Sequence, residues 1–292
     1  MNKHLVIGAS GLVGAHLLSR LIELGQSVTG TYYLDLCPGL LPLDIRDKKA
    51  VNTMFREIHP EIVYLPAAIT NVEYCQKYPE ETYLTNVQGT VNVVRAANEI
   101  DAKIIFFSSD YVFDGMQGPY SEDDPTRPIS EYGNQKLIGE HYIAFHSKNY
   151  LIIRTTVVYG WESQGKNFVQ RLIKSLRGGE CIRVPVDQIG NPTFAPNLAD
   201  AVIELATGRE TGLCNIVGST LVNRYEFAVA TAKAFDLDPL LIVSVSTEEL
   251  GQVAQRPLSA GLRVDKARKI LRTSLLGYLE GLKMMAAMGK DL

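Results

Sequence analysis

The stretch Leu5-Val6-Ile7-Gly8-Ala9-Ser10-Gly11-Leu12-Val13-Gly14 decides the fold. Its first three residues form a short apolar run typical of a buried strand, and residues 16–24 have the spacing of a helix. A glycine-rich turn between a first strand and a helix lets backbone N–H groups and the helix dipole meet a pyrophosphate. The spacing is GxxGxxG rather than GxGxxG. Its context still predicts dinucleotide binding by Gly8, Ser10, Gly11, Leu12, Val13 and Gly14.

Short apolar runs alternate with amphipathic segments through the first half of the chain. The predicted strands are residues 5–7, 27–29, 62–65, 103–107 and 151–153. The predicted helices between them are residues 16–24, 48–58, 80–99 and 131–146. Unbroken apolar strands suit a parallel sheet covered on both faces. The alternation therefore predicts an α/β fold with a doubly wound parallel sheet.

The alternation loosens in the second half. Helices are predicted at residues 167–176, 196–206, 224–235 and 275–288, and short strands at residues 181–184, 213–217 and 241–245. This pattern indicates a smaller α/β substrate domain that is interleaved with the first domain. We expect residues 1–155 to form the dinucleotide-binding domain, with residues 186–217 returning to it, and residues 156–185 and 218–292 to form the substrate domain.

Composition narrows the function classes. The chain has 292 residues, a net charge of −3 and 46% hydrophobic residues, which are ordinary values for a globular protein. Neither a basic patch nor an apolar run of ~20 residues is present, so we expect no nucleic-acid partner and no membrane partner. The four cysteines form no CxxC and the five histidines no HExxH, which argues against a zinc site. We expect a cytoplasmic protein.

The end of the second strand bears on the choice of cofactor. An acidic residue there usually holds the ribose 2′-hydroxyl of NAD. Here the strand ends in Thr29-Gly30-Thr31-Tyr32-Tyr33, and the first carboxylate is Asp35. The lack of an acid at the strand end tolerates a 2′-phosphate, although no arginine stands there to bind one. NADPH is therefore slightly favoured, and NADH stays open. Asp44 and Ile45 could hold the adenine edge, or Asp44 could simply cap a helix.

Three residues suggest the chemistry. Ser109 ends a predicted strand, and Tyr132 and Lys136 lie four apart on a helix, so they share one face. A nearby ammonium favours the phenolate and should lower the pKa of the tyrosine from ~10 toward neutral pH. We expect Ser109 to hydrogen-bond a substrate carbonyl that Tyr132 protonates while a nicotinamide delivers hydride. An exposed Tyr/Lys pair without function is the alternative.

Together these features resemble the extended short-chain dehydrogenase/reductase family, and within it the dTDP-4-dehydrorhamnose reductases. Further shared motifs are Ser108 to Gly115, Arg154-Thr155, Val158-Tyr159, Asn167-Phe168, Asp187-Gln188, Gly190, Pro192-Thr193 and Arg256-Pro257. The resemblance implies that Ser109, Tyr132 and Lys136 are catalytic. It also implies a cofactor site lined by Gly11, Leu12, Val13, Asp44, Ile45, Ala67, Ala68, Tyr132 and Lys136. Substrate binding is implied for Ser109, Asp110, Tyr111 and Arg256, although Arg256 could instead form an exposed ion pair.

Two positions depart from that family. Val157 stands where many members have a tryptophan that stacks on the sugar, and Trp161 is the only tryptophan that could compensate. His16 stands where some members have a glutamate that binds Mg²⁺ at a dimer interface, so we expect no metal.

The resemblance implies NAD(P)H-dependent reduction of the 4-keto group of a dTDP-6-deoxy-4-hexulose. Two alternatives are another nucleotide-sugar reductase or epimerase, and a regulatory subunit similar to the methionine adenosyltransferase β subunit. A homodimer is also expected.

Overall fold

The computed structural model describes residues 2–34 and 36–289. Its strands are β1 (Lys3–Val6), β2 (Ser27–Tyr32), β3 (Leu41–Pro42), β4 (Ile62–Leu65), β5 (Lys103–Ser109), β6 (Tyr150–Thr155), β7 (Val158–Tyr159), β8 (Ile182–Pro185), β9 (Ile189–Gly190), β10 (Thr193–Phe194), β11 (Gly212–Asn215), β12 (Val222–Asn223) and β13 (Ile242–Val245). Its helices are α1 (Leu12–Glu23), α2 (Lys48–Ile58), α3 (Val72–Lys77), α4 (Pro79–Tyr83), α5 (Thr90–Glu99), α6 (Glu131–His146), α7 (Phe168–Arg177), α8 (Ala195–Thr207), α9 (Arg224–Ala234), α10 (Asp265–Ile270) and α11 (Tyr278–Met288).

Seven strands form one parallel sheet in the order β3-β2-β1-β4-β5-β6-β11. Every residue of β4 and β5 is buried, as the unbroken apolar runs predicted. Helices α1 and α8 pack on one face of the sheet, while α2, α5 and α6 pack on the other. The structure therefore confirms the doubly wound α/β fold. Strand β11 pairs with β6, so residues 212–215 belong to this sheet.

The remaining strands form three small sheets: β7 with β10, β9 with β12, and β8 with β13. Helices α7, α9 and α11 pack against them through cores centred on Phe227 and Leu172. This region adjoins the carboxyl ends of β5 and β6, because a cavity there is lined both by Asp110 and Thr156 and by Arg224 at the start of α9. Open α/β sheets bind their ligands at this edge.

No helix within the described residues is both long and apolar enough to cross a membrane.

Candidate active site

The glycine turn after β1 is closed by direct backbone packing. Gly8 has a φ of +93°, and a Cβ there would lie 2.9 Å from the Cα of Ala67. A Cβ on Gly14 would lie 2.2 Å from the carbonyl oxygen of Gly8. Any other side chain at these two positions would push β1, α1 and the end of β4 apart, which explains both glycines.

Gly11 is different, because among the described residues other than its chain neighbours no atom approaches its missing Cβ closer than 3.6 Å. It precedes the first turn of α1, and no side chain caps that turn. Free N–H groups and a positive helix end with open space before them suit a pyrophosphate. The residues present therefore fit a dinucleotide, with Ser10, Leu12 and Val13 around the same turn.

The other predicted cofactor residues follow strands of the same sheet and lie at its carboxyl edge. Ala67 and Ala68 come after β4, and the N–H of Ala67 donates to the carbonyl of Ile7 at 3.1 Å. Asp44 and Ile45 come after β3, and Ile45 is buried. Their contact with a cofactor stays a prediction.

Asp44 does not cap a helix. The carboxylate of Asp47 accepts hydrogen bonds from the N–H groups of Lys49 and Ala50 and so begins α2. Asp44 instead accepts two bonds from the Arg46 guanidinium, at 2.9 and 2.8 Å, which hold the pKa of its carboxyl below the usual range.

Arg46 corrects the expectation that no arginine stands at the end of the second strand. Its guanidinium lies 5.0 Å from the centroid of the Tyr33 ring and donates a hydrogen bond to the phenol oxygen. Strand β3 pairs with β2, and this pairing brings a residue 13 positions further along the chain to the strand end. Asp35, the nearest carboxylate in sequence, lies outside the described residues.

Ser109, Tyr132 and Lys136 converge at the end of β5. Helix α6 begins at Ser130, whose hydroxyl accepts a hydrogen bond from the N–H of Gly133, and this cap fixes where Tyr132 enters the site. The ammonium of Lys136 donates to the carbonyl of Phe107 at 2.8 Å and lies 5.9 Å from the centroid of the Tyr132 ring. All three side chains are buried.

The pKa of Tyr132 moves in the opposite direction from the one expected. Burial, followed by the charge of Asp110, raises the pKa of Tyr132, and a hydrogen bond with Ser109 only partly counters this. Burial also lowers the pKa of Lys136 to about 8. The prediction that Lys136 pulls the pKa of the tyrosine toward neutral pH was therefore wrong for this site, because burial, and not the ammonium, sets the direction of the shift. Tyr132 remains a protonated phenol, the form that donates a proton.

Asp110 connects Ser109 to the cavity beside it. Its carboxylate accepts hydrogen bonds from the hydroxyls of Ser109 at 2.8 Å and Thr156 at 2.7 Å. Burial raises the pKa of Asp110 to about 6, although these two bonds act against the shift. The hydroxyl of Ser109 is therefore held in place at the mouth of the site, before any substrate binds.

Arg256 reaches the same region from the C-terminal part of the chain. Its guanidinium donates to the Glu73 carboxylate at 2.9 Å and to the phenol of Tyr111 at 3.2 Å. The arginine side chain is 12% exposed, so this is not the exposed ion pair that the sequence allowed. Buried Ala254, two residues earlier, packs in one cluster with Tyr132. The segment before Arg256 thus covers Tyr132.

Trp161 does not replace the aromatic side chain absent at position 157. Its indole donates to the carbonyl of Met285 at 2.9 Å and packs against Phe235, in the core of the substrate region. Val157 itself lines the cavity with a φ of 45°, a conformation strained for a β-branched residue.

The side chain of His16 contacts the backbone of this chain. One of its ring nitrogens lies 3.0 Å from the carbonyl oxygen of Trp161, and burial lowers the pKa of the imidazole. No group of three His, Cys, Asp or Glu side chains suited to a metal occurs in residues 2–34 and 36–289. Independence from metal stays a prediction.

Two residues near the site were not identified from the sequence. Asn86 lies in a π-helical segment (Leu84–Gly89) and binds both the N–H and the carbonyl of Ile69, at 2.8 and 3.0 Å. Its amide also donates to Gln135, next to Lys136, at 2.8 Å. Arg224 faces the cavity at the start of α9. Neither has a local motif, because the residues around each come from distant parts of the chain.

Comparisons with known proteins agree with this geometry. The RmlD substrate-binding domain model matches residues 2–290. The chain is 36% identical over 286 residues to the spore coat polysaccharide biosynthesis protein SpsK of Bacillus subtilis (strain 168), covering 94% of this chain and 97% of that protein. It is 30% identical over 293 residues to the dTDP-4-dehydrorhamnose reductase of Escherichia coli (strain K12), covering 96% of each.

A crystal structure of dTDP-4-dehydrorhamnose reductase from Bacillus anthracis in complex with NADP matches with a TM-score of 0.89 at 28% identity, covering 99% of this chain and 100% of that one. The fold and the site thus define an NAD(P)-dependent reductase of the short-chain dehydrogenase/reductase class. Within that class, the chain belongs to the RmlD substrate-binding domain family.

Proposed function

We propose that this protein reduces the 4-keto group of a dTDP-6-deoxy-4-hexulose, converting dTDP-4-dehydrorhamnose to dTDP-L-rhamnose, with NADPH slightly favoured over NADH. The observation that carries the proposal is the convergence of Ser109, Tyr132 and Lys136 beside a cavity at the carboxyl edge of the sheet. The relatives named for this reaction span nearly the whole chain, which supports the same substrate class here.

The roles follow from the contacts. A bound nicotinamide supplies the hydride. Tyr132 is a buried, protonated phenol and gives its proton to the oxygen of the reduced carbonyl. Ser109 donates its one hydroxyl hydrogen to Asp110 in the free protein; with substrate bound, that hydrogen turns to the carbonyl oxygen as negative charge develops on it, and Asp110 keeps the hydrogen bond from Thr156. Lys136, fixed on the carbonyl of Phe107, stands behind the tyrosine and is positioned to hold the nicotinamide ribose.

A turnover assay with NADPH and a panel of dTDP- and UDP-4-keto sugars tests the proposal. We expect the dTDP-6-deoxy-4-hexulose to react fastest. Preference for a UDP sugar would favour another nucleotide-sugar reductase or epimerase, and no turnover with any sugar would favour a regulatory subunit.

The variant Tyr132→Phe should lower turnover at least ~100-fold, as expected for a lost general acid, while NADPH still binds. Tyr142→Phe is the matched control, because Tyr142 lies on the same helix and, among the described residues, its hydroxyl is hydrogen-bonded to Arg95 alone. It should retain full turnover. Near-normal turnover of Tyr132→Phe would overturn the role of this residue.

A further inference from the structure

Arg224 is a cation without a partner. Its guanidinium lies 4.9 Å from the centroid of the Phe168 ring. Across the described ranges, 2–34 and 36–289, its side chain makes no ion pair and no hydrogen bond. It also occupies the first turn of α9, where the helix dipole disfavours positive charge. The fold therefore keeps a cation at a position that costs stability.

The surroundings of Arg224 add to that cost. The side chain of Arg224 is partly buried. Burial lowers the pKa of its guanidinium; the charges of Tyr111 and Asp110 act against this shift, and those of Arg256 and Arg171 add to it. A partly desolvated charge without an ion-pair partner lowers stability, because the hydration it loses is not repaid. A cation retained under these conditions indicates an anionic ligand.

Arg224 also lies where two cavities meet. The inner cavity has a volume of about 30 Å³ and reaches Asp110 and Thr156, beside Ser109. The outer cavity has a volume of about 520 Å³ and is lined by Phe168, Leu250 and other residues of the substrate region. Arg224, Tyr111 and Gln188 line both cavities. A ligand that spans both must pass this arginine.

The outer cavity is strongly positive. Four arginines line it and no carboxylate does, within the part of the chain that the structure describes: Arg171, Arg183, Arg224 and Arg256. Arg256 already has a carboxylate partner in Glu73, and Arg183 donates to the backbone carbonyl of Glu249. Arg171 is exposed, so Arg224 is left as the partly buried cation that a ligand would neutralise.

We propose that Arg224 binds the diphosphate of the substrate, with the nucleoside in the outer cavity toward Phe168 and the sugar on the side of Asp110, where the inner cavity has to widen to admit it. This assignment rests on the proposed function, because a nucleotide sugar is the ligand that has a diphosphate between its two halves. The planar guanidinium matches the paired oxygens of a phosphate, and Arg171 and Arg256 add positive charge around it.

Calorimetric titration with dTDP, UDP and inorganic pyrophosphate, without sugar or cofactor, tests the assignment. Arg224→Gln should weaken dTDP binding at least 30-fold. Arg224→Lys should give an intermediate loss, because lysine keeps the positive charge but lacks the planar guanidinium that donates two parallel hydrogen bonds. Arg177→Gln is the matched control, an exposed arginine at the end of α7. It should bind dTDP within twofold of the wild type. NADPH affinity should be unchanged in all three variants.

Thermal unfolding separates a binding role from a structural one. Removal of a partly buried cation that has no ion-pair partner should leave the melting temperature of Arg224→Gln equal to or above that of the wild type. A melting temperature lowered by several degrees would make the arginine structural and overturn the assignment. Unchanged dTDP affinity in Arg224→Gln, or a wild type that binds none of the three probes, would also overturn it. If dTDP binds through Arg224 but no keto sugar is reduced, the proposed function fails and this assignment stands.

Discussion

Replacing Asp110 by Asn should change the stability of the protein in a pH-dependent way. Asp110 is 4% exposed, and its two oxygens accept hydrogen bonds from Ser109 and Thr156. Burial raises the pKa of its carboxyl from 3.8 to about 6. Because the folded state binds this proton more tightly than the unfolded state, the stabilisation is fully present below pH 3.8 and is lost as the pH rises through about 6.

The pKa difference sets the magnitude. At ~1.4 kcal/mol per pKa unit, ionised Asp110 costs about 3 kcal/mol of unfolding free energy at pH 8 and about 0.5 kcal/mol at pH 4. Asn removes this cost, but its single amide oxygen replaces two acceptors, which costs about 1 kcal/mol. Asp110→Asn should therefore be about 2 kcal/mol more stable than the wild type at pH 8, and no more stable at pH 4.

Urea denaturation at several pH values from 4 to 8, followed by circular dichroism, measures the difference. The matched control is Asp114→Asn, because a hydrogen bond from Tyr120 lowers the pKa of the Asp114 carboxyl. Its ionised form stabilises the fold, so this variant should lose stability at neutral pH. A stability difference for Asp110→Asn that stays constant from pH 4 to 8 would refute the argument.

Three further predictions concern other parts of the structure. Glu140→Gln should lower the unfolding free energy by about 3–5 kcal/mol in urea denaturation, because it leaves Arg154 as a buried charge without its partner; Glu23→Gln, which breaks an exposed ion pair, should cost under ~1 kcal/mol. Calorimetry should show that the dissociation constants of NADPH and NADH differ by no more than about tenfold, ~1.4 kcal/mol, and a hundredfold preference for NADH would contradict this. Arg46→Gln should weaken the binding of NADPH and leave that of NADH unchanged. EDTA should leave rate and oligomeric state unchanged, since imidazole is a poor Mg²⁺ ligand and His16 is already bonded; a loss restored by Mg²⁺ would show the opposite.

The features predictable from sequence are those whose cause lies within a few residues along the chain. The glycine turn depends on Gly8 and Gly14, which lie in one short stretch. Tyr132 and Lys136 share a face because they are four apart on a helix. The parallel sheet could be predicted because its central strands are unbroken apolar runs.

The features that the sequence did not reveal depend on contacts between distant segments. Arg46 reaches Tyr33 only because β3 pairs with β2. The contact of Arg256 with Glu73 joins residues 183 positions apart. The pKa of Tyr132 was predicted with the wrong sign for the same reason, since desolvation depends on every element packed around the ring and not on the neighbouring lysine alone.

The position of α6 is fixed before any ligand binds. Arg154 on β6 makes two hydrogen bonds to Glu140 on α6, at 2.9 and 2.7 Å, and both side chains are 4% exposed. One turn earlier, Lys136 is bonded to the end of β5. These contacts tie the helix to two neighbouring strands, so Tyr132 cannot shift along the sheet without breaking buried polar bonds. Reduction of the carbonyl needs Tyr132, the proton donor, held at a set distance from the substrate. The buried ion pair of Arg154 and Glu140 holds α6 rigid at the edge where the ligands bind.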